Sequence, residues 1–271
     1  MSPDPSVVVA EAPGVRISAC PRGAHLMTWT TDGVERLWMS PISGCGSVEA
    51  IRGGVPVLFP QFGTFGELTK HGFARTSQWR QVDARQVAGS ASLAFELSDS
   101  ESTRDVWQHA FRARLEVEAS ATDLRMGLIV DNLGSQPARF TGGLHAYFAV
   151  ADPEAWIGGL SGCHAWDGES TDDPAFTRLL GERIPALATQ DRVVRGAVAP
   201  VVLNDRALGR LHVAARGFPN RVVWNPGPGH GLPDVVPGDE ARFVCIEPAA
   251  VVPITLVPHG TWEGRMHVYL G

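Results

Sequence analysis

The chain has 271 residues, 44% of them hydrophobic and 19% charged, with a formal net charge of −6. That length allows one or two domains around a sizeable core. An acidic balance with no arginine run excludes a broad nucleic-acid surface, and no apolar run approaches the roughly 20 residues of a membrane span.

Thirty glycines and twenty prolines are too many for a helical protein and suit many short strands joined by turns. Residues 1–6 lack a positive region followed by an apolar stretch, so no signal peptide is expected. Cys20, Cys45, Cys163 and Cys245 form no C-x-x-C pair and no zinc-finger spacing with histidine. They are expected as reduced, mostly buried thiols in a cytoplasmic protein.

In chain order, strands are expected over residues 7–10 and 15–19 around the Pro13-Gly14 turn, then over 25–30 and 35–39 around Asp32-Gly33, a hairpin signal. Residues 41–50 form a loop of small residues that leads into a stretch rich in glycine and proline, 51–75. Strands over 78–86 and 92–97 follow, and the polar residues 98–104 read as a loop. Phe111, Ala113, Leu115, Val117 and Ala119 then alternate with Arg112, Arg114, Glu116 and Glu118, the pattern of a half-buried strand. The chain returns over 124–130, turns at 132–135 and continues in one long strand over 139–150. Segments 155–162 and 177–184 surround a polar loop at 167–174. Short strands over 192–198, 201–203 and 210–215 precede 222–224, which runs into the irregular Asn225-Pro226-Gly227-Pro228-Gly229. Strands over 242–246, 254–257 and 264–270 close the chain. With no helical apolar period and no strand–helix alternation, the reading is all-β and antiparallel, a single domain over 1–271 of two packed sheets.

Four places carry candidate chemistry. The stretch from Ile51 to Arg80 holds Arg52, Lys70, Arg75 and Arg80 against Glu67 alone, and Lys70 is the only lysine in the sequence. Cations on a constrained glycine-rich loop suit a small anion such as phosphate; a turn-rich connection with solvated arginines is the plainer alternative. His71, between Lys70 and Arg75, is held toward its neutral form by those charges. In Thr141-Gly142-Gly143-Leu144-His145-Ala146-Tyr147-Phe148, His145 and Tyr147 share one face of a strand, and the two glycines leave room for a ligand, unless His145 is a core histidine bonded to a carbonyl. Glu247 ends the apolar run Phe243-Val244-Cys245-Ile246 before Pro248 stops the ladder. A buried carboxylate needs a partner, so it either caps a turn or has a function. Asp191 precedes a short strand and either accepts hydrogen bonds from sugar hydroxyls or sits at a turn beside Arg192. No histidine pair has metal-ligand spacing near a carboxylate, and no nucleophile elbow, Walker loop or dinucleotide fingerprint occurs, so no metal or cofactor is expected.

Together these motifs resemble a known family. Ile51-Arg52-Gly53-Gly54-Val55-Pro56 with Phe59-Pro60-Gln61-Phe62-Gly63, then His71-Gly72-Phe73-Ala74-Arg75, resembles the signature of the hexose-6-phosphate mutarotases (glucose-6-phosphate 1-epimerases) of the aldose 1-epimerase superfamily. Leu144 to Phe148, Asp191-Arg192-Val193, Val223 to Pro226 and Val244 to Glu247 resemble its later motifs, in the same order, from about Ala19 to the C-terminus. The resemblance implies an antiparallel β-supersandwich of the galactose mutarotase type. It implies His145 as acid and Glu247 as base, Asp191 on sugar hydroxyls, Arg52 and Arg75 on a phosphate, and His71 lining the site. Lys70 stands where the family often has glutamine, which adds charge toward a phosphate. Thr64 and Gln108 stand where proline is common, which reads as structural change. The implied ligand is a small-molecule sugar phosphate, held by a monomer or weak homodimer without cofactor.

Overall fold

The computed structural model describes residues 7–87, 89–167 and 178–271. Among them, strands assemble into three sheets in which every ladder is antiparallel. A four-stranded sheet runs Val8–Ala12, Val15–Cys20, His25–Thr31, Val34–Glu35. A nine-stranded sheet has Thr261–Leu270 at its centre, flanked by Gly209–Arg216 and Asp123–Asn132. An eight-stranded sheet is built on Phe243–Leu256, with Asn220–Asn225 and Gln190–Arg195 on one side and Ala138–Leu144 and Val57–Leu58 on the other. The all-β reading holds. The small third sheet was not expected; its strands and the turns at Pro13-Gly14 and Asp32-Gly33 were, but no local pattern tells that these hairpins stand apart from the two larger sheets.

The alternation over 111–120 does what it implies. Phe111, Ala113, Leu115, Val117 and Ala119 are buried, while Arg112, Arg114 and Glu118 face solvent. These residues join Leu93, Phe95, Leu124, Met126 and Leu128 in the main core between the sheets. Four other expectations change. Residues 98–104 are not all loop: Glu101–Val106 is a short helix, capped by reciprocal bonds in which the Ser100 N–H donates to Thr103 Oγ1 (2.8 Å) and the Thr103 N–H to Ser100 Oγ (3.3 Å). Pro248 does not stop the ladder. Phe243–Leu256 runs through it, because Pro248 falls in the interval between two pairing partners on one edge, Tyr147–Ala149 (through Cys245) and Ala138–Leu144 (through Ala249). For the same reason the expected strand over 139–150 is two strands, broken at His145 and Ala146. Finally, Cys20 and Cys45 form a disulfide with Cα atoms 5.5 Å apart, so the expected set of reduced thiols shrinks to Cys163 and Cys245. A separation of 25 residues carries no sequence signal for that pairing, and the cysteine argument for a reducing compartment falls with it. The polar loop expected at 167–174 lies, beyond Asp167, outside the described residues. No helix among the described residues is long and apolar enough to cross a membrane.

Two faces of the eight-stranded sheet differ in use. Val223, Val244 and Ile246 point into the main core, together with Leu144, Ala146 and Phe148. Their strand neighbours Val222, Trp224, Phe243, Cys245 and Ala249 point to the opposite face, where they form two smaller apolar clusters. Residues 51–75 fold over that second face. The turn at Gly53-Gly54 brings them there: both have positive φ (+99° and +57°), and a Cβ on Gly54 would stand 2.2 Å from the Leu26 carbonyl oxygen. His25, fully buried, fixes the same turn through a 2.8 Å bond between Nε2 and the Gly53 carbonyl.

Two outcomes follow from this corner. Gly54→Ala adds a backbone collision to left-handed strain and should cost on the order of 3–5 kcal/mol. Gly33→Ala, at φ +80° with open space around it, should cost only about 1–2 kcal/mol; urea unfolding of both compares them, and equal losses would refute the close approach. Burial, against the bond to Gly53 and helped by Arg22 and Arg75, pushes His25 down to about 3 from 6.5. Between those values the unfolded chain holds a proton that the folded chain lacks, so this contribution to stability is complete above about pH 6.5 and fades toward pH 3. The stability advantage of wild type over His25→Gln should therefore shrink on acidification, by up to about 1.4 kcal/mol per pH unit. Urea titrations at pH 7.5 and 5 measure it, and a constant difference would show His25 to be indifferent to protonation.

Candidate active site

Strand register alone gathers most of the site. In antiparallel ladders, directly opposed residues stand on the same face. Asp191 opposes Trp224, Trp224 opposes Cys245, and Cys245 opposes Tyr147. One step along, Val193 opposes Val222, which opposes Glu247. His145 sits in the break of the neighbouring strand, its N–H bonded to the Pro56 carbonyl (3.0 Å), while Ala146 accepts from the Ile246 N–H at 3.2 Å. Asp191, Val193, Val222, Trp224, Glu247, Tyr147 and His145 line a cavity of about 540 Å³, roofed by the 51–75 stretch and by Leu232 and Asp234.

Each of the seven residues singled out in the sequence, Arg52, Lys70, His71, Arg75, His145, Asp191 and Glu247, lines this one cavity. His145 Nε2 stands 3.4 Å from Glu247 Oε1. Glu247 is 1% exposed, and its other oxygen, Oε2, has no hydrogen-bond partner. Burial, then Asp191, pushes its carboxyl well above the ordinary carboxylate range, against Lys70. Burial, then His71, Arg52 and Arg75, pushes His145 well below the ordinary imidazole range. The surroundings of the pair therefore favour its uncharged form, with the proton on Glu247, over the carboxylate and imidazolium that their expected roles call for. Desolvation and the cations around the pair are the reason.

His71 has φ +71°, uncommon for a residue with a side chain. The Gly63 N–H donates to its Nδ1 at 3.1 Å, so the neutral ring carries its proton on Nε2. Burial, then Arg75, Lys70 and Arg52, lowers it to about 2, so it is a neutral donor. Its ring meets His145 edge-on at 5.6 Å. Gln61, fully used in bonds to Leu68 and Gly63, pins the insert that carries Lys70. Lys70 is exposed, and its carbonyl accepts from Arg75 Nη2 at 3.0 Å. Arg75 Nε is buried without a partner, and burial, together with Arg52, lowers its affinity for its proton, against Tyr147 and Asp234.

Three features went unread in the sequence. Gly142 and Gly143 leave no room for a ligand, contrary to expectation: a Cβ there would stand 2.7 Å from the carbonyl oxygens of Leu58 and Pro248 respectively. Those glycines admit neighbouring backbone instead. Tyr147 does share a face with His145, but its role as a partner was missed. Its ring stacks on His145 at 4.7 Å and 13°, and its hydroxyl accepts from Arg52 Nη1 at 2.8 Å. Asp234 accepts from Arg52 Nε at 2.9 Å. Although burial opposes it, Tyr147 and Asp234 together hold Arg52 firmly charged. An aspartate 182 positions away in a glycine–proline loop gives no local sign of that pairing.

The sequence model for aldose 1-epimerase matches residues 6–269. A relative from Cenchrus ciliaris described as a "putative glucose-6-phosphate 1-epimerase" is 32% identical over 259 residues, covering 90% of this chain and 78% of its own length. A crystal structure from Salmonella typhimurium, described as a "putative mutarotase", superposes with a TM-score of 0.86 at 28% identity, covering 98% of this chain and 90% of its own. A galactose mutarotase related enzyme from Lactobacillus acidophilus shares the fold, with a TM-score of 0.75 at 17% identity over 98% of this chain and 97% of its own. The β-supersandwich of the galactose mutarotase type is thus the fold, and the chain belongs to the aldose 1-epimerase family.

Proposed function

We propose that this protein is an isomerase that interconverts the α and β anomers of a hexose 6-phosphate, glucose 6-phosphate first among them. The observation that carries the reading is a single cavity lined both by a buried histidine–glutamate pair and by three cations, Arg52, Lys70 and Arg75. The names of the relatives point the same way. An unphosphorylated aldose would bring no anion to these cations, of which only Arg52 is bonded to a carboxylate among the described residues, and would leave the buried Arg75 Nε without an acceptor of matching charge.

Anomer exchange needs one proton taken from the anomeric hydroxyl and one given to the ring oxygen. With Glu247 as carboxylate and His145 protonated, Glu247 takes the first and His145 gives the second. The C1–ring oxygen bond breaks and the open-chain aldehyde remains. The pair is then carboxylic acid and neutral imidazole, the form that its protein surroundings favour. Rotation about C1–C2 and closure on the other face return both protons and restore the charged pair. Ring opening thus moves the pair toward its preferred state.

The substrate's phosphate supplies the opposite bias. Set against Arg52 and Arg75, it offsets two of the charges that hold His145 low, which favours passage of the Glu247 proton to His145 across 3.4 Å. The neutral Nε2–H of His71 is a donor for charge developing on a sugar oxygen, and Asp191 accepts from sugar hydroxyls. Trp224, edge-on to His145 at 5.8 Å, offers an apolar wall. Protons are the only species exchanged, and the reaction balances without a cofactor. Positioned acid–base groups contribute on the order of 10²–10⁴-fold in rate.

Anomer exchange by NMR on glucose 6-phosphate and on glucose tests the reading. Exchange should accelerate for the phosphate ester. His145→Asn should lower turnover by about 10²–10⁴-fold with little change in binding; normal turnover would remove His145 as the acid. Arg52→Ala should impair the phosphate ester far more than any residual action on glucose, and equal losses would remove the phosphate assignment. Acceleration of glucose alone would favour a mutarotase of free aldoses. Binding without acceleration would leave a sugar-phosphate-binding module.

A further inference from the structure

The proposed reaction makes no use of Cys245, although this buried thiol lies beside its two acid–base groups. Cys245 and Glu247 alternate on one strand and share a face, and the opposition of Cys245 to Tyr147 sets the thiol next to the strand break that holds His145. One ligand atom each from His145, Cys245 and Glu247 lie within 4.8 Å of one another. We infer that these three side chains form a binding site for a soft divalent cation, Zn²⁺ above all, which closes the reacting part of the cavity to sugar.

One edge of the cluster already has the spacing of a zinc site, and the thiol lies within reach of both other ligands. Bonds of about 2.0–2.2 Å to nitrogen and oxygen at a tetrahedral angle put the two ligand atoms roughly 3.3–3.6 Å apart. His145 Nε2 and Glu247 Oε1 stand 3.4 Å apart before any metal is present. Cys245 is in no disulfide, and a thiolate selects Zn²⁺ over Mg²⁺. The fourth position opens to the cavity, which His145 and Glu247 line, and it suits water. Glu247 Oε2 and His145 Nδ1, both buried and without hydrogen-bond partners, show that the pair's polar capacity is not used up within the protein. Arg52, Arg75 and Lys70 oppose a cation here. Thiolate and carboxylate together cancel its two charges, and the cations set a limit on affinity rather than on site formation. Bound metal takes the lone pairs that move protons, so it inhibits and is no part of the reaction.

The metal-binding arm of the test needs no activity and stands whether or not the proposed reaction does. Titration of the purified full chain with Co²⁺ should give a thiolate-to-cobalt charge-transfer band at one equivalent, and Zn²⁺ should bleach it. Cys245→Ser should abolish the band and weaken Zn²⁺ by more than the roughly 10–100-fold that loss of an outer-shell partner costs. Cys163→Ser, which alters the other cysteine outside the disulfide, should change neither. Zn²⁺ absorption spectroscopy on the wild-type protein should find one sulfur at about 2.3 Å with nitrogen and oxygen near 2.0–2.2 Å, which decides the ligand set even if the variant fails to fold. Absence of stoichiometric binding, a band that survives in Cys245→Ser, or a Zn²⁺ shell without sulfur would each overturn the inference. On the activity side, which does rest on the proposed reaction, Zn²⁺ should inhibit anomer exchange and Mg²⁺ should not.

Discussion

The site depends on one backbone event. The strand Phe243–Leu256 is continuous, while its neighbour on one edge is broken at His145 and Ala146. A continuous neighbour would present His145 in regular alternation, with its backbone paired to the central strand. The break instead ties its N–H to Pro56, on the stretch that carries Arg52, and leaves Glu247 facing the gap. The residues around it are chosen to match. Gly142 and Gly143 let the Leu58 and Pro248 carbonyls approach to where any Cβ would collide, and Pro248, which has no N–H to donate, lies where that edge has no ladder to complete. Strand pairing thus places His145 Nε2 and Glu247 Oε1 3.4 Å apart from sequence positions that share no local motif.

Packing then makes the electrostatics. Taking Glu247 and His145 out of water disfavours both charges, and the cations Arg52 and Arg75 add to the effect on His145 alone. Arg52 is held in place, because the turn at Gly53-Gly54 beside it is locked by His25 and by the approach of Leu26, and its side chain is bonded to Asp234 and Tyr147. The cavity is therefore strained toward an anion: three cations and a neutral His71 face a space with no carboxylate free of burial except Asp191 and Asp234 on its rim. An incoming phosphate relieves mutual repulsion among Arg52, Arg75 and Lys70, and in the proposed reaction that relief reaches the acid.

What could be read in advance follows the range of each interaction. Alternation at 111–120 and the shared face of His145 and Tyr147 are period-2 facts, visible in a few residues. The basic island at 52–75 is visible because glycine and proline fix backbone and charge lies beside charge. The bond of Arg52 to Asp234 and the Cys20–Cys45 disulfide are contacts between distant segments, and no local pattern encodes them; the third sheet is built of consecutive hairpins whose turns were legible, but not that it stands apart from the two larger sheets. The glycines at 142–143 were legible as a close approach but not as to what approaches; a ligand and a carbonyl oxygen ask the same of a sequence. The Glu101–Val106 helix was missed because it is a short helix capped by Ser100 and Thr103, residues that mark loops as readily.

Arg52 and Arg75, alike in sequence, are not equivalent partners for a phosphate. Arg52 already gives Nε to Asp234 and Nη1 to Tyr147, so an anion that takes its remaining N–H groups meets a charge that Asp234 partly offsets. Arg75 donates only to a backbone carbonyl, keeps a buried Nε without a partner, and has its charge disfavoured by burial and by Arg52. A phosphate on Arg75 satisfies an orphaned donor and relieves that penalty at once, so the larger share of the binding free energy falls to Arg75. Arg52, held rigidly by Asp234 and Tyr147 beside the stacked His145 ring, instead fixes where the phosphate charge sits relative to the acid. The proposed clamp divides its work accordingly: affinity through the underpartnered arginine, position through the one that Asp234 and Tyr147 hold in place.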